Sequence, residues 1–114
     1  MFSRFFAKPD PNAPPRDIDH EELVQAMRDK SCVVVDIREP HEFAGGHIPG
    51  AINLPLSRFR LELLPEGKRP VLICLSGSRS GSAVRYAHSN GATEVRHYPR
   101  GMNDWRARGG PIVR

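Results

Sequence analysis

Cys74 closes an apolar run, Val71-Leu72-Ile73, and opens a stretch of small and polar residues, Ser76-Gly77-Ser78-Arg79-Ser80-Gly81. A curled backbone over 75–80 can turn several N–H groups toward one point, which makes a nest for an anion. The N-terminus of a following helix adds partial positive charge, and Arg79 can add a full one. A free thiol ionises near about pH 8.5, and such surroundings bring that down to roughly 3.5–7.5. The pattern therefore predicts a nucleophilic thiolate at Cys74. The alternative is a cysteine that only fills a strand end, and the loop, the arginine and the helix behind it argue against that alternative. Chemistry of this kind is nucleophilic and covalent.

The elements that must hold this loop are legible in the periodicity. Asp19 with Glu22 reads as a capping box, followed by the helical apolar face Leu23, Val24 and Met27, ending near Asp29. Cys32-Val33-Val34-Val35 reads as a buried strand of a parallel sheet. A short helix over 41–44 is stopped by Gly45-Gly46, and Ala51-Ile52-Asn53-Leu54 reads as a second strand. The stretch 57–64 predicts a helix closed by Pro65 and Gly67. After the strand that ends at Cys74 comes a helix with Ala83, Val84 and Ala87 on one side and Gly91 as its stop. A last strand is predicted over 94–98, and a last short helix over 102–106, ahead of Gly109-Gly110-Pro111. Strands alternating with helices through short links predict an α/β domain around a mainly parallel sheet, with helices on both faces. Ligands of such sheets bind beyond the carboxyl ends of the strands, which is where Cys74 falls.

The chain has 114 residues, the size of one domain, and 39% of them are hydrophobic, enough for one modest core. Residues 1–16 read as a proline-rich arm (Pro9, Pro11, Pro14, Pro15) carrying Phe2, Phe5 and Phe6, and 17–114 as the domain. A partner-docking role for the arm stands beside the simpler reading of a frayed terminus. The net charge of +4 suits small anions, but the basic residues are scattered with few aromatics among them, so nucleic acid is not the expected partner. No apolar stretch approaches the ~18 residues of a membrane span, and residues 1–8 lack a signal-peptide run, so the expected location is the cytoplasm, where thiols stay reduced. Two cysteines make no disulfide framework, and Cys32, opening a buried strand, reads as an inert core residue.

Taken together the motifs resemble the rhodanese-like sulfurtransferases. Cys74-Leu75-Ser76-Gly77-Ser78-Arg79-Ser80 is similar to that family's C-x-x-G-x-R-S loop. Val34-Val35-Asp36-Ile37-Arg38 with Glu42-Phe43 resembles its first signature, and residues 46–55 resemble its GHIPGAINLP stretch. Gly101 and Trp105 resemble its final G…W element. The resemblance spans about residues 17–113. Two departures stand at the rim: Arg100-Gly101 where the family often has two glycines, and Tyr98-Pro99 where it often has a leucine. Both leave the chemistry untouched and bear on substrate shape.

The resemblance implies that Cys74 takes sulfane sulfur from thiosulfate or a persulfide donor as a persulfide. It then passes that sulfur to cyanide, a small thiol or a protein thiol, and the resemblance implies that no metal and no organic cofactor is needed. Leu75, Ser76, Gly77, Ser78, Arg79 and Ser80 would bind the substrate. Arg38 is added because a guanidinium near the pocket suits thiosulfate. Asp36, Arg38, Glu42 and His47 look like a catalytic set, but apart from Arg38 the expectation is structural: Asp36 holding backbone or a cation, Glu42 an arginine, His47 backbone. The five histidines His20, His41, His47, His88 and His97 make no metal-ligand pattern. Met102 and Trp105 are expected to pack the last helix, and Arg58, Phe59 and Arg60 to lie at the surface. Two alternatives remain: a sulfur carrier or regulatory module acting on a protein partner, and a phosphatase or arsenate reductase. Phosphatases of related fold use C-x5-R, whereas here four residues separate Cys74 from Arg79. The tighter loop suits one sulfur better than a tetrahedral phosphate.

Overall fold

The computed structural model describes residues 12–114; the segment with Phe2, Phe5, Phe6, Pro9 and Pro11 lies outside the described residues. Among the described residues four strands form one all-parallel sheet in the order β2-β1-β3-β4: β1 Cys32–Asp36, β2 Ile52–Asn53, β3 Arg69–Ile73 and β4 Arg96–His97. The centre is the β1–β3 ladder, running in register from Cys32 opposite Arg69 to Asp36 opposite Ile73. These are the most apolar, β-branched runs of the chain, as burial on both faces requires.

Among the described residues the helices are α1 His20–Asp29, α2 Pro40–Ala44, α3 Ser78–Ser89 and α4 Gly101–Ala107. Alternation along the strands splits the core in two. Val34, Val71 and Ile73 face Leu23 of α1 and Met102 and Trp105 of α4. Val35, Leu72 and Cys74 face Ala83, Val84 and Ala87 of α3. Helices thus cover both faces. Of the expected capping box only the Asp19 half forms, its carboxylate accepting from Glu22 N–H at 2.8 Å, while the Glu22 carboxylate is taken by Arg96 at 2.7 Å.

The expected helix over 57–64 is replaced by two 3-10 turns, Leu56–Arg58 and Leu61–Leu63, separated by extended Phe59 and Arg60. Phe59, Leu61 and Leu64 all pack on the α3 side of the sheet. A continuous helix rotates by about 100° per residue and would carry Phe59 away from the other two; the extended break brings all three inward. The last strand is shorter than expected, because β4 pairs with β3 only at Val71–Arg96 and Leu72–His97. Its other edge is met by the segment before α1, through a parallel bridge between Asp17 and His97.

The chain leaves β1 for β2 on one side and returns to β3 on the other, so the strand order reverses between β1 and β3. At such a switch point the carboxyl ends part and leave a crevice. Asp36 and Cys74 stand at its two sides. Cys32 lies at the opposite end of the ladder, five residues along β3 from Cys74, or roughly 16 Å at ~3.3 Å per residue. That span is far beyond disulfide reach, and both thiols are free.

Candidate active site

The loop after β3 wraps around the Cys74 sulfur. Gly77 N–H reaches Sγ at 3.1 Å and Ser80 N–H at 3.4 Å, and Sγ lies 3.5 Å from the Ser80 hydroxyl oxygen. The curl depends on Gly77, whose φ is +97° and where a Cβ would fall 1.8 Å from the Pro99 carbonyl oxygen. No L side chain fits there. The carbonyls of the same loop point outward into the start of α4: Met102 N–H donates to Cys74 O at 2.9 Å and Asn103 N–H to Leu75 O at 3.0 Å. With the carbonyls held away, the N–H groups are left facing the sulfur.

This approach explains the Gly101 and Arg100 pattern. Gly101 has φ +65°, and a Cβ on it would meet Leu75 O at 2.4 Å and Cys74 O at 2.6 Å. Arg100 sits in ordinary right-handed helical geometry, φ −92°, and needs no glycine. Its side chain is 72% exposed, 3.7 Å from Asp104.

The electrostatics of Cys74 are a contest. Burial, the largest single influence, pushes its thiol up; hydrogen bonds from the Ser80 hydroxyl and from the N–H groups of Ser80, Gly77 and Ser76 pull it down and together prevail, leaving it below the ordinary value. Cys32 has no such donors, and burial pushes it up.

Arg79 is expected to add charge at the sulfur. Its guanidinium makes a two-pronged pair with Glu42, at 2.9 and 3.1 Å, while still sensing the Cys74 thiolate. Glu42 also accepts from Glu39 N–H at 3.0 Å, so the pair ties α3 to the first turn of α2. The hydrogen bond from Arg79 holds the Glu42 carboxyl down at about 2, against an opposing push from burial. Arg38, expected near the pocket, is 3% exposed and spends its fork on Asp36 (2.7 Å) and the Gly46 carbonyl (2.8 Å). His47 stacks on Phe43 and its Nδ1 lies 2.8 Å from Phe43 O. Leu75, Ser76 and Ser78 are exposed at the rim.

Sequence reasoning gave no role to His97 or Asp17. Ser80 is fully buried, and its hydroxyl lies 2.8 Å from His97 Nδ1 as well as against Cys74. His97 Nε2 lies 3.1 Å from Asp17 Oδ1. The one available signal was a histidine inside a short strand, since Asp17 and His97 are 80 residues apart.

An open groove of about 700 Å³ lined by Lys30, Leu61, Leu64, Lys68 and Ala92 among others lies at the amino ends of the strands and includes neither cysteine. The chemistry is at the other end. Among the described residues no group of acidic, histidine and cysteine side chains is arranged to hold a metal ion, and no helix is long and apolar enough to cross a membrane.

The model of the rhodanese-like domain matches residues 19–108. An uncharacterized protein of Synechocystis is 42% identical over 81% of this chain, and the chain spans 52% of that protein's length. The thiosulfate:glutathione sulfurtransferase of Saccharomyces cerevisiae is 36% identical over 76% of this chain and 73% of its own length. A solved rhodanese-related protein of Thermoplasma volcanium superposes with a TM-score of 0.75 at 32% identity, covering 86% of this chain and 97% of that one.

Proposed function

This chain belongs to the rhodanese-like domain family, whose members similar to it include sulfurtransferases, and on that premise we propose that it moves sulfane sulfur through a persulfide on Cys74. The observation that carries the reading is the ring of polar groups on one sulfur: Gly77 N–H and Ser80 N–H donate to Sγ at 3.1 and 3.4 Å, and the Ser80 hydroxyl oxygen lies 3.5 Å from it. Donors fixed before reaction stabilise charge without reorganising, and they serve the thiolate and an anionic persulfide alike.

With thiosulfate as donor, the Cys74 thiolate attacks the outer sulfur. An S–S bond forms to Cys74, the S–S bond of thiosulfate breaks, and sulfite leaves with its electron pair. Cyanide or a thiolate then attacks the outer sulfur of the persulfide, and the Cys74 thiolate is released with the electrons of the broken bond. No net redox partner and no cofactor enters the cycle. Cys74 is 1% exposed, which favours small donors and acceptors that approach end-on. In this reading Leu75, Ser76 and Ser78 form the rim that the donor meets. Gly77 and Ser80 hold the sulfur. Arg79 shapes the loop through Glu42 and contributes charge at a distance. Arg38 holds the crevice wall.

Intact mass after incubation with thiosulfate tests the proposal. The expected result is a gain of one sulfur atom in the wild type and in Cys32→Ser, with none in Cys74→Ser. Loading only from a persulfide donor would favour the carrier role. Sulfur on Cys74→Ser would overturn the mechanism.

A further inference from the structure

We propose that Ser80, His97 and Asp17 form a proton relay behind Cys74, in which the protonation state of His97 decides whether the Ser80 hydroxyl donates to the imidazole or to the sulfur. The inference rests on Cys74 as the nucleophile but not on the identity of the sulfur donor.

The contacts are continuous from a buried sulfur to solvent. Cys74 Sγ lies 3.5 Å from Ser80 Oγ, Ser80 Oγ 2.8 Å from His97 Nδ1, and His97 Nε2 3.1 Å from Asp17 Oδ1. Cys74, Ser80 and His97 are buried, while the Asp17 side chain is 68% exposed. The backbone fixes the outer pair: His97 N–H donates to Arg16 O at 2.8 Å, and Ile18 N–H to His97 O at 3.0 Å. Asp17 is therefore clamped on both sides to the strand that carries the histidine.

A carboxylate only accepts, so Asp17 selects the proton on Nε2. In neutral His97, Nδ1 then bears a lone pair, the Ser80 hydroxyl donates to it, and Ser80 Oγ is left to accept the Cys74 S–H. In protonated His97, Nδ1–H donates to Ser80 Oγ, and the hydroxyl turns to donate to a thiolate. Passage between the two states moves one proton along the chain. The S–H bond breaks with its electron pair staying on sulfur, that proton joins Ser80 Oγ, and the serine's own proton passes to Nδ1. The product is a thiolate and an imidazolium joined through one hydroxyl, with Asp17 balancing the imidazolium.

The charges that face His97 come from each packed element. Asp17 lies on the segment before α1, Arg85 on α3, and Cys74 acts through Ser80. Burial pushes His97 down, Asp17 pulls it up, and Arg85 pushes it down. Arg96, its neighbour on β4, is committed to Glu22 and to the Asp17 carbonyl. Ser80 touches the reacting atom, whereas His97 and Asp17 act through it and are positioning residues.

The test is the pH dependence of Cys74 alkylation by iodoacetamide, in Cys32→Ser to leave one thiol. Two inflections are expected, one of them His97's. His97→Asn should lose the second, and Asp17→Asn should move it to lower pH. A profile for His97→Asn that superimposes on the parent overturns the relay. Should His97→Asn fail to fold, the NMR titration of His97 Cε1–H decides. In Cys74→Ser, which lacks the thiolate charge, the midpoint is expected to shift to lower pH by linkage, and an unmoved midpoint overturns the proposal. The two readings fail separately: coupling without sulfur loading leaves the relay and removes the sulfur chemistry, and loading with unchanged profiles does the reverse.

Discussion

Glu42 and Arg79 meet across the crevice in a two-pronged ion pair at 2.9 and 3.1 Å, although 37 residues separate them. The pair joins the helix after β1 to the helix after β3, and so links the two walls of the switch point. Its geometry also decides what Arg79 can do. A guanidinium whose fork is taken by a carboxylate has little left for a donor anion.

Glu42→Gln separates these roles. If Arg79 shaped the loop, losing the pair would loosen it, and sulfur loading from thiosulfate should slow. If Arg79 were a donor ligand waiting to be freed, the same change would lower KM for thiosulfate. The first outcome is expected, with about 1 kcal/mol of stability lost at neutral pH, a figure suited to a two-pronged but partly exposed pair. Glu42 is held at about 2 in the fold against an ordinary 4.5. Its folded value is depressed, so its contribution is complete above about pH 4.5 and disappears as the pH falls toward 2. Urea unfolding of both proteins between pH 2 and 7 should converge at the acid end.

The loop's curl predicts opposite outcomes for neighbouring positions. Gly77→Ala places a Cβ on the Pro99 carbonyl at a φ of +97°. It should cost about 2–4 kcal/mol, from backbone strain and steric overlap together, and should spoil loading at Cys74. Arg100→Ala alters an exposed side chain in ordinary helical geometry and should stay within about 0.5 kcal/mol. Thermal unfolding of the two variants checks both. Equal destabilisation would mean that the Arg100-Gly101 corner is strained where the structure shows it relaxed.

Much of this was legible in the sequence, and the parts that were not share a cause. β1 and β3 announce themselves by β-branched runs, α1 by Asp19 and Glu22, and the loop by its glycine and serines. Those signals are local. The segment 56–64 misleads because its apolar residues follow the surface they cover, with Phe59, Leu61 and Leu64 brought to one side by an extended break that no helical period describes. That Glu42 would hold an arginine and Asp36 backbone or a cation was expected; that these are Arg79 and Arg38, and that Ser80, His97 and Asp17 form a chain, are tertiary facts. Each pairs a residue with another that only the sheet order brings near.

The two thiols should differ in reactivity in a way that exposure alone would reverse. Cys32 is the more exposed, yet burial pushes it up, against only the weaker pull of the Lys68 charge. Cys74 is 1% exposed and held down by its loop. The thiolate is the nucleophile, so ionisation should outweigh access for a small reagent. Limited iodoacetamide at pH 7, followed by peptide mapping, should label Cys74 first. Ser80→Ala removes the hydroxyl donor and should slow that labelling while leaving Cys32 unchanged.

The last prediction concerns Arg38, a candidate for donor binding because a guanidinium near the pocket suits thiosulfate. Its guanidinium is 3% exposed and makes bonds to both oxygens of Asp36, itself fully buried, and to the Gly46 carbonyl. Asp36 in turn accepts from Arg38 N–H at 3.0 Å, and the carbonyls on either side of Ile37 are held by the Asn53 amide. Breaking a buried pair from one side leaves the other charge stranded, which costs about 3–5 kcal/mol. Arg38→Met should therefore lower the unfolding midpoint steeply. Arg38→Lys keeps the charge but loses the fork and should recover only part of the loss. Whatever folded Arg38→Lys remains should load sulfur with a KM for thiosulfate close to that of the wild type. A large rise in KM with little change in stability would instead place the guanidinium in contact with the donor.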